Sequence, residues 1–128
     1  MAFKSITTGY FDKKFSKLTN RNTTFKKQVI TKMKGIRQNP EIGEPKGNEL
    51  RGLRGLHISE HFVVIYLIFR DYVVFINLDH HDKAYKTDTM KRLIRHLSED
   101  EKLLVTLEAS DITVEDFAQF VATVGKHK

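Results

Sequence analysis

Apolar positions recur at a helical period in the first part of this chain, at a strand-like density in the middle, and at a helical period again towards its end. Phe11, Phe15 and Leu18 fall at helical spacing and predict a short helix over FDKKFSKL, broken by the Asn-Arg-Asn stretch at 20–22. Phe25, Val29, Ile30, Met33 and Ile36 line one face of a second helix from about Thr24 to Gln38, with Lys26, Lys27, Lys32, Lys34 and Arg37 on the rest of it. That helix ends before Pro40, because a residue preceding proline avoids helical backbone angles. Residues 39–49, with both prolines and two glycines, read as an irregular loop.

Three strands are expected next: Leu53 to Ile58, His61 to Phe69 and Tyr72 to His80. Arg70-Asp71 joins the last two. A two-residue turn there places His61 opposite His80 and Phe62 opposite Asp79. The resulting hairpin is apolar on both faces. One carries Val63, Ile65, Leu67, Phe69, Tyr72, Val74, Ile76 and Leu78; the other carries Phe62, Val64, Tyr66, Ile68, Val73 and Phe75. A sheet with one wet face would alternate with polar residues, so both faces need cover. The N-terminal helices serve one face only. The C-terminal segment is expected over the face with Phe62, Tyr66, Ile68 and Phe75. Its Met90, Leu93, Ile94 and Leu97 form a helical stripe, Ser98 and Glu101 form a capping-box pattern before Leu103, Leu104 and Leu107, and Thr113 can cap a last helix that ends at Gly125.

The 128 residues suit one domain with its own core, and the absence of cysteine excludes disulfides and thiolate metal sites. The longest apolar run, Phe62 to Phe69, is far too short to span a bilayer, and the first residues lack the apolar stretch of a signal peptide, so a cytoplasmic protein without membrane contact is expected. Charge is unevenly placed: residues 1–96 carry a balance of +10 and residues 97–128 one of −4, within a net +6. A basic body of this size attracts phosphates, and an acidic tail can lie against it.

His57, His61, His80 and His81 all fall at the same end of the expected sheet, whereas His96 and His127 stand apart. Three readings of the four are open. They can be solvated residues at strand ends. With Asp79 and Asp82 they can hold a metal, although no His-x-x-x-His spacing on an expected helix points that way, and the reading adopted has no metal and no cofactor. Or two of them can act as acid and base on RNA, one taking the ribose 2′ proton and the other protonating the 5′-oxygen, with nearby cations stabilising the charge on phosphorus.

The stretch Leu50-Arg51-Gly52-Leu53-Arg54-Gly55-Leu56-His57-Ile58, the following His61, Phe62 and Val63-Val64-Ile65-Tyr66, and the closing His81-Asp82-Lys83-Ala84-Tyr85 resemble the RelE/ParE toxin superfamily, and within it the YafQ-like mRNA interferases. The resemblance runs over roughly residues 3–85 and includes Asn39-Pro40 and Lys46 to Leu50. It implies an α+β fold, a β-α-α-β-β-β unit with a twisted antiparallel sheet, here followed by additional C-terminal helices. The division implied is a toxin domain at 1–86 and an acidic helical extension at 87–128 packed on it. It also implies the toxin of a type II toxin–antitoxin system, a ribosome-associated mRNA endonuclease working by metal-independent acid–base cleavage. Carried over by position, His57, His81 and Tyr85 are catalytic, with His61 at the position of the subgroup's aspartate, and Lys46, Arg51, Arg54 and Lys83 contact RNA. The partners implied are mRNA, the ribosome and an antitoxin protein, with a homodimer left open. Glu44 lies nearest the subgroup's loop histidine and Val63 replaces the strand arginine of RelE proper. The alternative is therefore a ParE-like toxin that binds a protein target, or a diverged inactive member.

Overall fold

The computed structural model describes residues 2–125. A strand β1 (Lys4–Thr7) opens the chain, followed by helices α1 (Gly9–Thr19) and α2 (Thr23–Gln38). A two-residue strand β2 (Glu44–Pro45), β3 (Leu53–His57), β4 (Phe62–Phe69) and β5 (Tyr72–His80) come next, then a single turn α3 (His81–Ala84) and helices α4 (Thr87–Arg95), α5 (Glu101–Glu108) and α6 (Val114–Val121). The fold is α+β, with one five-stranded sheet in the order β1-β5-β4-β3-β2. Only β1 runs parallel to its neighbour; the other pairings are antiparallel.

The long hairpin β4–β5 occupies the middle of that order, which explains why it is apolar on both sides. Its turn has two residues, as expected, and Arg70 adopts the left-handed conformation (φ 54°) that such turns demand. The pairing expected near the turn holds from Phe69↔Tyr72 to Tyr66↔Phe75 and then slips by one residue. An irregularity between Ile65 and Tyr66 leaves Ile76 without an opposite residue, so Phe62 faces His80 and Val63 faces Asp79. The expected pairs His61–His80 and Phe62–Asp79 are therefore incorrect. Side chains alternate strictly along a strand, so one extra residue moves everything beyond it to the other face. Leu78 accordingly joins the core of the opposite face from the one expected.

The two faces also exchange the covers assigned to them from sequence. Phe62, Val64, Tyr66, Ile68, Val73 and Phe75 pack against Phe11, Phe15, Phe25, Val29 and Ile36 of the N-terminal helices. Val63, Ile65, Leu67, Val74 and Ile76 pack against Met90, Leu93, Leu97, Leu103, Leu107 and Phe117 of the C-terminal helices. Hydrophobicity alone requires two covers but does not assign them.

Side-chain caps fix where the helices start. The Thr8 hydroxyl accepts from the Phe11 amide at 3.1 Å, Asn22 Oδ1 from Phe25 at 2.9 Å, and Thr113 Oγ1 from Asp116 at 3.1 Å. The cap of α5 is Asp100 and not Ser98, which lies in a 3-10 turn over Leu97–Glu99. Asp100 Oδ1 accepts from the Leu103 amide at 3.0 Å, and its Oδ2 accepts from the Gly9 amide at 2.9 Å, so one carboxylate caps α5 and α1 together. Gly125 ends the last turn after α6 with φ 80°, and its amide donates to the Arg51 carbonyl at 2.7 Å. His127 lies outside the described residues. No described helix is long and apolar enough to cross a membrane.

Candidate functional site: four histidines and a tyrosine at one end of the sheet

β3 ends, β4 begins and β5 ends at the same edge of the fold, and the backbone brings their histidines together there. His57 is the last residue of β3, His80 the last of β5 and His81 the first of α3. His61 precedes β4, and its carbonyl accepts from the His81 amide at 2.7 Å. The His57 and His81 rings are 6.3 Å apart, His61 and His81 also 6.3 Å, and His80 and His81 4.9 Å. His61 stacks on His80 at 5.7 Å with its plane tilted by only 5°.

Asp82 organises the rings. Its Oδ1 lies 3.0 Å from His81 Nδ1, close enough to orient that ring. Its amide donates to His80 Nδ1 at 3.3 Å, capping α3. Asp79, also considered as a ligand, is engaged elsewhere: Lys14 Nζ donates to its Oδ2 at 2.7 Å. Burial works to raise the Asp79 carboxyl, but the Lys14 hydrogen bond and charge, with the His80 amide, hold it below the ordinary carboxylate value.

Tyr85 follows α3 and returns over β3. Its hydroxyl occupies the place where a side chain on Gly55 would begin, so glycine is required there for Tyr85 to lie flat on the strand. Lys46 Nζ sits 4.4 Å from the centre of the Tyr85 ring and 3.9 Å from Glu44 Oε1. Burial, with Glu44 assisting, raises the Tyr85 hydroxyl above its usual ionisation range. At the working pH Tyr85 is thus a neutral donor beside a cation. Gly55 and His57 are two residues apart on β3 and share a sheet face, so Tyr85, Lys46 and His57 face the same way.

The other residues singled out in the sequence are dispersed. Lys83 is exposed on α3. Arg54 points to the opposite face, where its Nη1 donates to the Gly43 carbonyl at 2.8 Å and to Glu41 at 3.1 Å. Arg51 precedes β3 at the end remote from His57, and its carbonyl receives Gly125. The structure therefore groups His57, His61, His81, Tyr85 and Lys46, and does not group Arg51 or Arg54 with them. Sequence reasoning missed the seat that Gly55 provides, which a glycine inside a strand signals, and gave no role to the Asp82 side chain beyond metal ligation.

Residues 8–85 match the family model for the ParE toxin of type II toxin–antitoxin systems. The chain belongs to this family. A Methanocaldococcus jannaschii protein carrying the toxin name RelE4 is 32% identical over 77 residues, 59% of this chain and 82% of that protein. Among solved structures, a mutant of the E. coli toxin RelE in the free state superposes with a TM-score of 0.59 at 15% identity, covering 76% of this chain and 99% of RelE. The E. coli DinJ–YafQ toxin–antitoxin complex gives a TM-score of 0.54 at 16% identity, over 67% of this chain and all of the matched one. The toxin fold of the RelE/ParE superfamily is thus present, and α4, α5 and α6 lie beyond the residues that the family model matches.

Proposed function

We propose that this toxin is a metal-independent endoribonuclease that cleaves mRNA on the ribosome, with His57 and His81 as its acid–base pair. The observation that carries this reading is their 6.3 Å separation on an open sheet end. Rings whose centres are this close can both reach one phosphodiester, each within a hydrogen-bond length of about 3 Å. One imidazole takes the 2′-hydroxyl proton and the other delivers a proton to the departing 5′-oxygen. Asp82 orients His81 for this task, Lys46 and Lys83 offset charge on the phosphorane oxygens, and Tyr85 donates to them or stacks on a base. His61 stands at the rim, where an RNA strand would enter. The exposed Lys26, Lys27, Lys32 and Lys34 of α2 add a sequence-independent attraction for RNA.

Residues 1–86 are the toxin unit in this reading, and 87–128 an extension packed on it in a cytoplasmic protein. An antitoxin protein is the natural partner, as DinJ is of YafQ in the complex that this fold resembles.

The test is cleavage of mRNA on programmed ribosomes in the presence of EDTA. The wild-type protein is expected to cut and leave 2′,3′-cyclic phosphate ends. His57→Ala and His81→Ala should each lower the rate by about 10²–10⁴-fold. Equal cleavage by both variants would remove the pair from the mechanism. A folded wild-type protein that arrests growth without cutting RNA would favour the ParE-like alternative, a toxin for a protein target. The engagement of Arg54 by loop carbonyls, which takes one cation away from phosphate, is the observation on that side.

A further inference from the structure

The sheet end contains a second arrangement beside the acid–base pair. One imidazole nitrogen from each of His61, His80 and His81 lies within 4.8 Å of the other two. The backbone enforces this closeness, since His81 is hydrogen-bonded to His61 and His80 is paired with Phe62. We infer that His61, His80 and His81 form a binding site for a borderline divalent transition metal ion, of the class of Zn²⁺, Ni²⁺ and Cu²⁺, and that occupancy withdraws His81 from RNA cleavage. The second half rests on the proposed role of His81; the first does not.

The donor set selects the ion. Imidazole nitrogens suit zinc, nickel and copper, whereas Mg²⁺ and Ca²⁺ take oxygen ligands. With metal–nitrogen distances of about 2.0–2.1 Å, the ligands of a tetrahedral ion are roughly 3.3 Å apart. The nitrogens must therefore close in by about 1.5 Å from the 4.8 Å limit, which rotation of partly exposed side chains at a strand end allows. Asp82 supplies the outer support such sites use. Its Oδ1 lies 3.0 Å from His81 Nδ1, so that a proton on Nδ1 would be held there and Nε2 left for the ion. His80 Nδ1 accepts from the Asp82 amide, so the neutral ring carries its proton on Nε2; when Nε2 takes the metal that proton moves to Nδ1, which faces Asp82 Oδ2 3.5 Å away. Glu60, 3.9 Å from His61 Nε2, places a second carboxylate beside the incoming cation. The remaining coordination position is left to water.

Isothermal titration of the full, chelator-treated chain with ZnCl₂ tests the site. One equivalent is expected to bind and to survive a large excess of MgCl₂. His61→Ala and His80→Asn should each weaken binding at least tenfold; asparagine retains a side-chain oxygen to cap α3, so the fold at that turn is kept. Absence of zinc binding by the wild type, or unchanged affinity in both variants, overturns the site. In the cleavage assay run without chelator, zinc should silence the wild type and leave His80→Asn active. Zinc that binds the wild type without slowing cleavage overturns the part played by His81. A wild type that cuts no RNA defeats the nuclease reading, while the titration still decides the metal site.

Discussion

Arg54 and Tyr66 face each other directly across β3 and β4, and both fasten the same loop. The buried Tyr66 hydroxyl donates to the Pro40 carbonyl at 2.6 Å and accepts from the Gly43 amide at 2.9 Å, while Arg54 holds the Gly43 and Glu41 carbonyls. Tyr66→Phe strands a buried carbonyl and amide and should cost about 1–3 kcal/mol in urea unfolding. Arg54→Ala should cost less, because its hydrogen bonds are partly exposed. A larger loss from Arg54→Ala than from Tyr66→Phe would show that the charge, and not the hydroxyl, anchors the loop.

The Lys14–Asp79 pair makes stability depend on pH at both extremes. The Asp79 carboxyl is held below its ordinary 3.8, so its contribution is whole above that value and is lost as pH falls through the lower folded one. Lys14 is raised above 10.5, chiefly by its hydrogen bond with Asp79, so its contribution is whole below 10.5 and is lost as pH rises through the folded value. Lys14→Met should therefore cost about 1.5–3 kcal/mol at neutral pH, the range for a charged hydrogen bond. The deficit relative to wild type should shrink below pH 3.8 and above pH 10.5. A deficit independent of pH would assign the effect to packing.

Gly55→Ala is expected to expel Tyr85 from its seat, because the new methyl group overlaps the tyrosine hydroxyl and approaches Lys46 Cε to 3.3 Å. Tyr85 is half-buried and can swing outward, so global stability should change by under about 1 kcal/mol. Cleavage should fall at least tenfold, as in Tyr85→Phe, and combining the two changes should add little. Normal activity in Gly55→Ala would separate Tyr85 from the chemistry.

Removal of the residues after Thr87 should produce an aggregating protein. It would bare Val63, Ile65, Leu67, Val74 and Ile76, all of which are fully enclosed. Phe117→Ala, which opens a cavity against Phe69 (ring distance 5.2 Å), should destabilise by about 3–5 kcal/mol. Among the described residues no hydrogen bond or ion pair joins the C-terminal helices to the four histidines, so the truncated chain should gain no activity from unmasking. A soluble truncated protein with faster cleavage would make the tail an inhibitor in cis.

The central hairpin was legible because its β-branched and aromatic runs are long enough to leave no other assignment. The bulge opposite Ile65 and Tyr66 was not. Nothing in the run YVVFINLDH marks it except Asn77, an amide among apolar residues, which now lies buried with its Nδ2 towards the Ala84 carbonyl at 3.4 Å. β1 was visible only through the family resemblance, since KSIT offers a single core residue, Ile6, and its partner β5 lies far along the chain, with Lys4 opposite Tyr72. The histidine end survived the register error because an offset of one residue changes which side chains are opposite, not which end of the sheet they occupy. Arg54 looked like a phosphate ligand because its carbonyl partners belong to an irregular loop whose path the sequence does not specify.

The shared cap at Asp100 also sets an order of events during synthesis. Everything needed for the sheet and for α1 and α2 has been made before any residue of α4 exists, yet the Gly9 amide at the start of α1 waits for a carboxylate some ninety residues downstream. Translation at about 5–20 residues per second needs roughly 2–8 s for the last forty residues. During those seconds the helices that enclose the Val63 to Ile76 face have yet to be made, and the growing chain is still tethered to a ribosome, the machine it is proposed to attack.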